Sequence, residues 1–428
     1  MSGARRCIAT TDRDTRENFS APGLSLRRFS FQICLMSIAG KRIVIVGAGI
    51  GGLCVARALA MRGADVTVLE QAEAIREVGA GLQITPNGFV VLKALGLGEV
   101  VADAAVKAEA VSLRDYRRGE MVRLDLSRLS ERSYYFLHRA DLINTLADGA
   151  RAAGVAIELS QKIKAVRPGL RPRADLADGA SVEADMIIGA DGLHSQTRRA
   201  LGERQAPRFT GQVAWRATCP ADGAAAPEAR VYMGPGRHLV VYPLRNRSML
   251  NIVAVQERAD WAEEGWDHKD DPAHLRAAFA DFGDEARTVL ARIEETHLWG
   301  LFRHPVAERW QSDGLAILGD AAHPTLPFLA QGANLALEDA WVLADVLGAG
   351  APLETYQARR QARARKVIDA ATGNAWKYHL SFKPLRRAAH LALKAGGALA
   401  PGRMMARFDW IYGHDVTEGT EFPGRTSR

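Results

Sequence analysis

Ordered hydrophobic patterning begins at Lys41–Val46, where KRIVIV carries Ile43, Val44, Ile45 and Val46 in an unbroken apolar run. Such a run reads as a strand buried on both faces of a parallel sheet. A glycine turn follows, then an Ala- and Leu-rich helix over Leu53–Arg62, stopped by Gly63, and a strand, DVTVL, at Asp65–Leu69. This is a β-α-β unit. A helix is predicted over Asn87–Leu95, closed by Gly96. Another spans Arg139–Ala153, with Leu142, Ile143, Leu146 and Ala150 at helical spacing. Val155–Leu159 and Met186–Ile188 read as strands.

From about Gly211 to Glu257 the period changes to two. Short strands are predicted at Val213–Cys219, Arg230–Met233, His238–Pro243 and Leu250–Val255, separated by Gly, Pro and Asn turns. Residues 272–296 return to helix, Leu315–Leu318 to strand and Ala333–Leu347 to a long helix, and 353–410 is basic and helical. The predicted class is therefore mixed α/β, a Rossmann-like unit interrupted by an antiparallel sheet. Segments 41–210 and 311–350 form a discontinuous nucleotide-binding domain, 211–310 a substrate domain, and 351–428 a C-terminal helical region. Residues 1–40 lack periodicity and are expected to be a disordered extension or a misassigned start, with translation beginning at Met36.

The chain's 428 residues exceed one ordinary core, and 47% hydrophobic with 25% charged residues is a globular balance. Cys7, Cys34, Cys54 and Cys219 form no C-x-x-C pair, which argues against a disulfide framework, a zinc site or a dithiol centre and fits a reducing cytoplasm. The net charge of +7 is dispersed without aromatic interleaving, so no nucleic-acid partner is expected. No apolar run reaches the ~20 residues of a membrane span, and no metal-ligand spacing is present. A monomer or homodimer is expected.

Gly47-Ala48-Gly49-Ile50-Gly51-Gly52 fits G-x-G-x-x-G. Gly47 permits the turn, Gly49 lets backbone approach a pyrophosphate at the helix N-terminus, and Gly52 permits close packing of helix on strand. Glu70, at the end of the second strand, is placed to accept hydrogen bonds from both ribose hydroxyls and to repel a 2′-phosphate, favouring FAD or NAD as the tightly held nucleotide.

Two further motifs separate these. Ile187-Ile188-Gly189-Ala190-Asp191-Gly192 runs on through His194, Ser195 and Arg198; Gly319-Asp320-Ala321-Ala322-His323-Pro324 runs on through Pro327 to Gln331-Gly332-Ala333-Asn334 and Asp339. With all three motifs in order, residues 41–415 resemble the single-component (group A) FAD-dependent aromatic hydroxylases, the para-hydroxybenzoate hydroxylase-like monooxygenases. The stretches TGQVAWRA (210–217), HLVVYPLRN (238–246) and HPTLPFLAQGANLALEDA (323–340) look most like salicylate hydroxylase and 3-hydroxybenzoate 6-hydroxylase relatives. The resemblance implies a glutathione reductase-type FAD domain with an inserted sheet. It implies Asp320 on the flavin ribityl chain, Gly332, Ala333 and Asn334 at the flavin ring, and Arg139 on FAD. It also implies Asp191 and Gly192 near the pyrophosphate and the passing nicotinamide. The helix after the Gly332 loop would point its N–H groups at the flavin N1–C2=O edge. Only one dinucleotide fold is visible, so NADH or NADPH is expected to bind transiently.

The implied reaction is hydroxylation of a phenolic or N-heteroaromatic acid with NAD(P)H and O₂ through a C4a-hydroperoxyflavin. The inserted sheet and the 324–329 loop nominate His238 and Pro327 beside the chemistry and Trp215, Tyr242 and Phe328 on the substrate. Trp215 and Phe328 are expected to sandwich its ring. Some relatives carry a histidine at the Trp215 position; this chain does not. His323, in the flavin loop, is expected to have a local structural or flavin-edge role rather than to transfer protons, and Arg216, Arg237 and Arg245 are candidates for a substrate carboxylate. Two other readings remain: another flavoprotein of this fold, such as a halogenase or alkene reductase, although W-x-W-x-I-P is absent; and a flavin-binding interaction protein. For the latter, the basic helices (Arg386, Arg387, Lys394, Arg403, Arg407) either dock on an acidic partner or simply close the substrate domain with a solvated face.

Overall fold

A computed structural model describes residues 38–75, 81–128, 133–203, 207–223, 225–258 and 268–420, with backbone alone at 374–376. The expectations for the first 37 residues, and the positions of Cys7 and Cys34, lie outside the described residues.

The apolar run of the first strand, Arg42–Val46, sits at the middle of a six-stranded sheet. Asp65–Leu69 and Ala156–Glu158 follow on one side, and Met186–Gly189, Leu315–Ile317 and Gln311–Ser312 on the other. All pairs are parallel except the last. Ile45, Val68, Ile187, Ile188 and Ile317 are buried here, as unbroken apolar runs in a doubly covered sheet require. The helices Ile50–Ala60 and Gly332–Gly348 pack on this sheet and on each other. Their N-termini both border the same cavity.

The second sheet has eight strands, in the order Lys269–Asp270, Thr296–Arg303, Arg208–Pro220, Met249–Glu257, Arg237–Leu244, Glu228–Gly234, Ala110–Asp115, Gly119–Asp125. The four strands predicted between 213 and 255 are present. The boundary of the substrate domain is not where the sequence placed it. Ala110–Asp115 and Gly119–Asp125, expected in the nucleotide-binding segment, complete this sheet through a parallel pairing of Glu228–Gly234 with Ala110–Asp115. The inserted strands leave a hydrogen-bonding edge at Glu228–Gly234 that the earlier hairpin satisfies, so the sheet is assembled from both sides of the insertion.

The two faces of this sheet do different work. One is covered by the helices Pro272–Ala278 and Asp284–Ala291, which bury Trp215, Leu239, Ile252, Phe279, Phe282 and Leu290 together. The other faces the cavity. The long helix Leu353–Tyr378 and the helix Lys383–Leu399 follow, and the latter lends Ala389, His390, Leu393 and Gly396 to the cavity wall. That fits helices that close the substrate domain. Among the described residues no helix is long and apolar enough to cross a membrane.

Candidate active site

The glycine turn is set by close approaches. Gly47 has φ +101°, and a Cβ there would lie 2.5 Å from the Ala190 carbonyl oxygen. At Gly52 a Cβ would lie 2.0 Å from the Gly47 carbonyl oxygen, and at Gly51 it would meet Leu318 at 2.5 Å. Gly49 differs: nothing lies within 4 Å of where its Cβ would be, and it borders the cavity. Three glycines thus hold the turn, while the fourth offers bare backbone at a helix N-terminus, as a pyrophosphate requires. Glu70 braces the turn, its carboxylate accepting from Ala48 N at 2.7 Å and Ala72 N at 2.9 Å.

Asp191 is not on the cavity wall. It accepts from Ser195 Oγ at 2.5 Å, Gln196 N at 2.7 Å and Thr197 N at 3.1 Å. Burial raises its pKa, and these donors partly offset the rise. Its carboxylate caps the start of the helix Gln196–Ala200, and the turn so fixed presents Gly192, at φ +67°, and Leu193 to the cavity. Arg198 is likewise engaged, donating to the Pro305 carbonyl at 2.9 Å.

Asp320 opens onto the cavity with Arg139. Its side chain is exposed to that opening, yet the surrounding protein raises the Asp320 pKa, with Arg139, His323 and His304 pulling it back. Gly319, at φ +58°, donates its N–H to Asp339 at 3.1 Å. Pro327 begins a short 3₁₀ turn, Pro327–Leu329, whose end is the left-handed Ala330, at φ +53°. Beyond it Gly332 and Ala333 border the cavity at the helix N-terminus. Asn334 does not. Its Oδ1 accepts from Thr85 N at 3.0 Å, and its Nδ2 donates to Gln83 O at 2.9 Å and Ala330 O at 2.7 Å, so it holds the loop from behind.

Behind the loop lies a buried polar network that sequence reading missed apart from His323 and Asp339. Arg360 meets Glu338 at 2.6 Å and Asp339 at 2.7 Å, Arg363 meets Glu338 at 2.7 Å, Asn87 donates to Glu338 at 2.6 Å, and His323 bonds Asp339. Burial alone would raise both carboxyls. Arg360 and Arg363 outweigh it at Glu338, while His323 and Arg360 hold Asp339 at about 2. The available signal was Asn334, Glu338 and Asp339 on the buried side of an apolar helix, where carboxylates demand partners.

The cavity encloses about 1790 Å³ and runs from Gly49 and Gly192 past Asp320 and Gly332 to the second sheet. On that sheet Arg216 pairs with Val253, Val240 with the same Val253, and Val231 with Val240, placing them on one face. His238, Val255 and Ala214 share that face one position along, against Phe328. Tyr242 also lines it, 5.1 Å from the Phe136 ring. Trp215 does not. It pairs with Ala254, donates from Nε1 to Asp270 at 2.7 Å and packs edge-on to Phe279. Successive residues of a strand point to opposite faces, so Trp215 belongs to the helix-covered core and the expected sandwich with Phe328 is corrected. Phe328 itself lines the cavity, 5.9 Å from the His238 ring.

The three candidate arginines separate as well. Arg237 is turned to the covered side, donating to Ala278 O at 2.5 Å and Asp281 at 2.8 Å. Arg245 borders the cavity but is paired with Asp141 at 3.2 Å. Arg216 borders the cavity, its guanidinium 4.6 Å from the Trp299 ring centre. His238 is buried and bonded through Nδ1 to His379 Nε2 at 2.6 Å. Burial, and then His379, hold its pKa well below the ordinary value, so the ring is neutral.

Comparison with known proteins agrees with this geometry. A model of the FAD binding domain family matches residues 41–371. A 3-amino-4-hydroxybenzoate 2-monooxygenase of Streptomyces platensis is 34% identical over 88% of this chain and 96% of its own. A 3-hydroxybenzoate 6-hydroxylase of Klebsiella oxytoca is 31% identical over 87% of this chain and 96% of its own. The crystal structure of Klebsiella pneumoniae HpxO, complexed with FAD and uric acid, superposes with a TM-score of 0.75 at 25% identity, covering 86% of this chain and 96% of that one. With its glycine cradle, its large cavity and these relatives, the chain belongs to the FAD binding domain family and is an FAD-dependent aromatic monooxygenase.

Proposed function

We propose that this enzyme uses NADH or NADPH and O₂ to hydroxylate a phenolic or N-heteroaromatic ring that carries a carboxylate. The observation that carries the reading is the far wall of the cavity. There a cation, Arg216, and a neutral imidazole, His238, face an apolar enclosure continuous with the backbone of Gly49 and Gly332. The relatives named for hydroxybenzoates support the carboxylate and the phenol.

FAD, when bound, takes the hydride and activates O₂. Gly49 and the helix behind it would hold its pyrophosphate, Glu70 its adenosine ribose, and Asp320 its ribityl chain with Arg139 alongside. Gly332 and Ala333 would hold its ring, and Gly192 would border the path of the nicotinamide. Arg216 orients the substrate carboxylate by a charge-assisted hydrogen bond. Phe328 and Pro327 form an apolar wall that orients the ring and excludes water, and Tyr242 bounds its far side. His238 accepts the phenolic proton, which makes the ring a better nucleophile. Its neutral state suits that role.

Purified protein reconstituted with FAD should oxidise NADH or NADPH faster when hydroxybenzoates, hydroxynicotinates or anthranilate are added. Product from ¹⁸O₂ should carry one labelled oxygen. Oxidation that is unmoved by every aromatic acid, or product free of label, would overturn the reading.

A further inference from the structure

We infer that His238, His379 and Glu257 form a proton relay that carries the substrate's phenolic proton from the cavity to the protein surface. This rests on the hydroxylase reading above and adds the exit route for the proton. His238 lines the cavity, its Nδ1 is 2.6 Å from His379 Nε2, and His379 Nδ1 is 3.0 Å from Glu257 Oε1. Both imidazoles are buried, and the Glu257 side chain is half exposed to solvent. One end of the chain is therefore in the cavity and the other in water.

The direction of the hydrogen bonds follows from Glu257. A carboxylate only accepts, so His379 Nδ1 carries the proton toward it, and His379 Nε2 is left as acceptor. His238 Nδ1–H then donates to His379 Nε2, and the basic nitrogen of His238 is Nε2. The surface acid thus fixes the tautomer of a buried ring two residues away. When the phenol O–H bond breaks, its proton forms a bond to His238 Nε2. The proton on His238 Nδ1 passes to His379 Nε2, the one on His379 Nδ1 passes to Glu257, and Glu257 releases it to water. The two imidazoles end neutral, the phenolate is left in the cavity, its proton is in water, and no electrons are exchanged. Reverse transfer of a proton from water through Glu257 and His379 to His238, when the product oxygen is reprotonated, restores the starting tautomers.

The backbone holds this chain in place. Gly236, in the turn before the His238 strand, donates its N–H to the His379 carbonyl at 3.1 Å and accepts from Glu257 N at 2.8 Å. His238 pairs with Val255, two residues before Glu257. The other groups packed around it are the Tyr378 ring, 5.4 Å from His238, Phe328 at 5.9 Å, and Arg386, which donates to the Leu380 carbonyl. None of these breaks the line. In this scheme His238 touches substrate, and His379 and Glu257 are positioning residues that act through it.

The test uses oxidised holoenzyme without turnover. A chromophoric phenolic acid, 4-hydroxy-3-nitrobenzoate, is bound and the pH is raised in a stopped-flow cell, with phenolate absorbance as the signal. His379→Phe should slow phenolate formation ~100-fold, the low end of what a positioned acid–base group contributes, and Glu257→Gln less, ~10-fold. Ligand affinity should hold, Glu257→Asp should recover most of the rate, and the solvent isotope effect should rise in the slowed variants. Glu257 is at the surface, so its variants report even if His379→Phe fails to fold. Wild-type rates in both Glu257→Gln and a folded His379 variant, with loss only in His238→Gln, would overturn the relay and leave the base standing. Unchanged ionisation in His238→Gln would overturn the base reading and the relay with it.

Discussion

The two walls of the cavity were built in different ways. On the side proposed for the cofactor, the cavity-lining atoms belong to short contiguous turns: Gly49–Gly51, Gly319–Asp320 and Gly332–Ala333. Their conformations are fixed by neighbours along the chain and by one or two close approaches. On the substrate side, the contacting atoms belong to alternate residues of long strands. Which residues those are depends on strand register across the sheet. A turn tolerates almost no added atom but is indifferent to distant changes. A sheet face tolerates substitutions but inverts its roles when a residue is assigned to the wrong side.

Five changes press on that contrast, in falling order of effect. Gly52→Ala would bring a methyl 2.0 Å from the Gly47 carbonyl oxygen. Backbone cannot yield there as a side chain can, so the cost should exceed the ~1–3 kcal/mol of ordinary overpacking. The purified variant should hold no stoichiometric flavin, by absorbance near 450 nm. Retention of FAD would show the turn to be far softer than its geometry. Arg360→Met should cost ~3–5 kcal/mol, because Glu338 and Asp339 would stay buried with their main partner gone. Urea unfolding measures it, and a loss below ~1 kcal/mol would mean that Arg363 and His323 suffice.

On the sheet, Trp215→Phe and Phe328→Ala should separate. The first loses the Asp270 hydrogen bond and core volume, about 1–3 kcal/mol of stability, with KM for the aromatic acid unchanged. The second should raise KM ~10-fold, about 1.4 kcal/mol of binding. A KM change in Trp215→Phe matching that of Phe328→Ala would put Trp215 back on the substrate. The smallest effect is pH-dependent. Asp339 is held at about 2, below its ordinary value, so the unfolded chain takes up this proton first as pH falls. Its stabilisation is complete above the ordinary Asp range and is lost as pH falls through about 2, by no more than ~1.4 kcal/mol per pH unit. Asp339→Asn should flatten that part of the stability curve.

The same contrast explains what could be read in advance. The glycine turn, Asp320 and the Gly332 helix were legible because their chemistry sits in consecutive residues. Asp191 and Asn334 were recognised as motif members, but a motif records that a residue is needed, not which way its side chain turns; both brace the loops that touch the cavity. His238 and Trp215 were nominated together. Each is plausible alone, and only the pairings of His238 with Val255 and Trp215 with Ala254 reveal that they point to opposite faces. Arg360 was invisible because one arginine among several in a basic helix looks solvated until Glu338 and Asp339, on another helix, are seen to be buried beside it.

The parallel seam between Glu228–Gly234 and Ala110–Asp115 has a bearing on how such enzymes exchange specificities. The unit that carries the substrate wall is not a continuous cassette. A graft of residues 208–303 from a relative would arrive with an unmatched edge, facing a hairpin selected for a different neighbour. Recombination between relatives should therefore succeed when the hairpin 110–125 travels with the graft, and yield insoluble protein when it stays behind. Crossovers that look safe on the linear chain are, on this sheet, cuts through the middle of a single fabric.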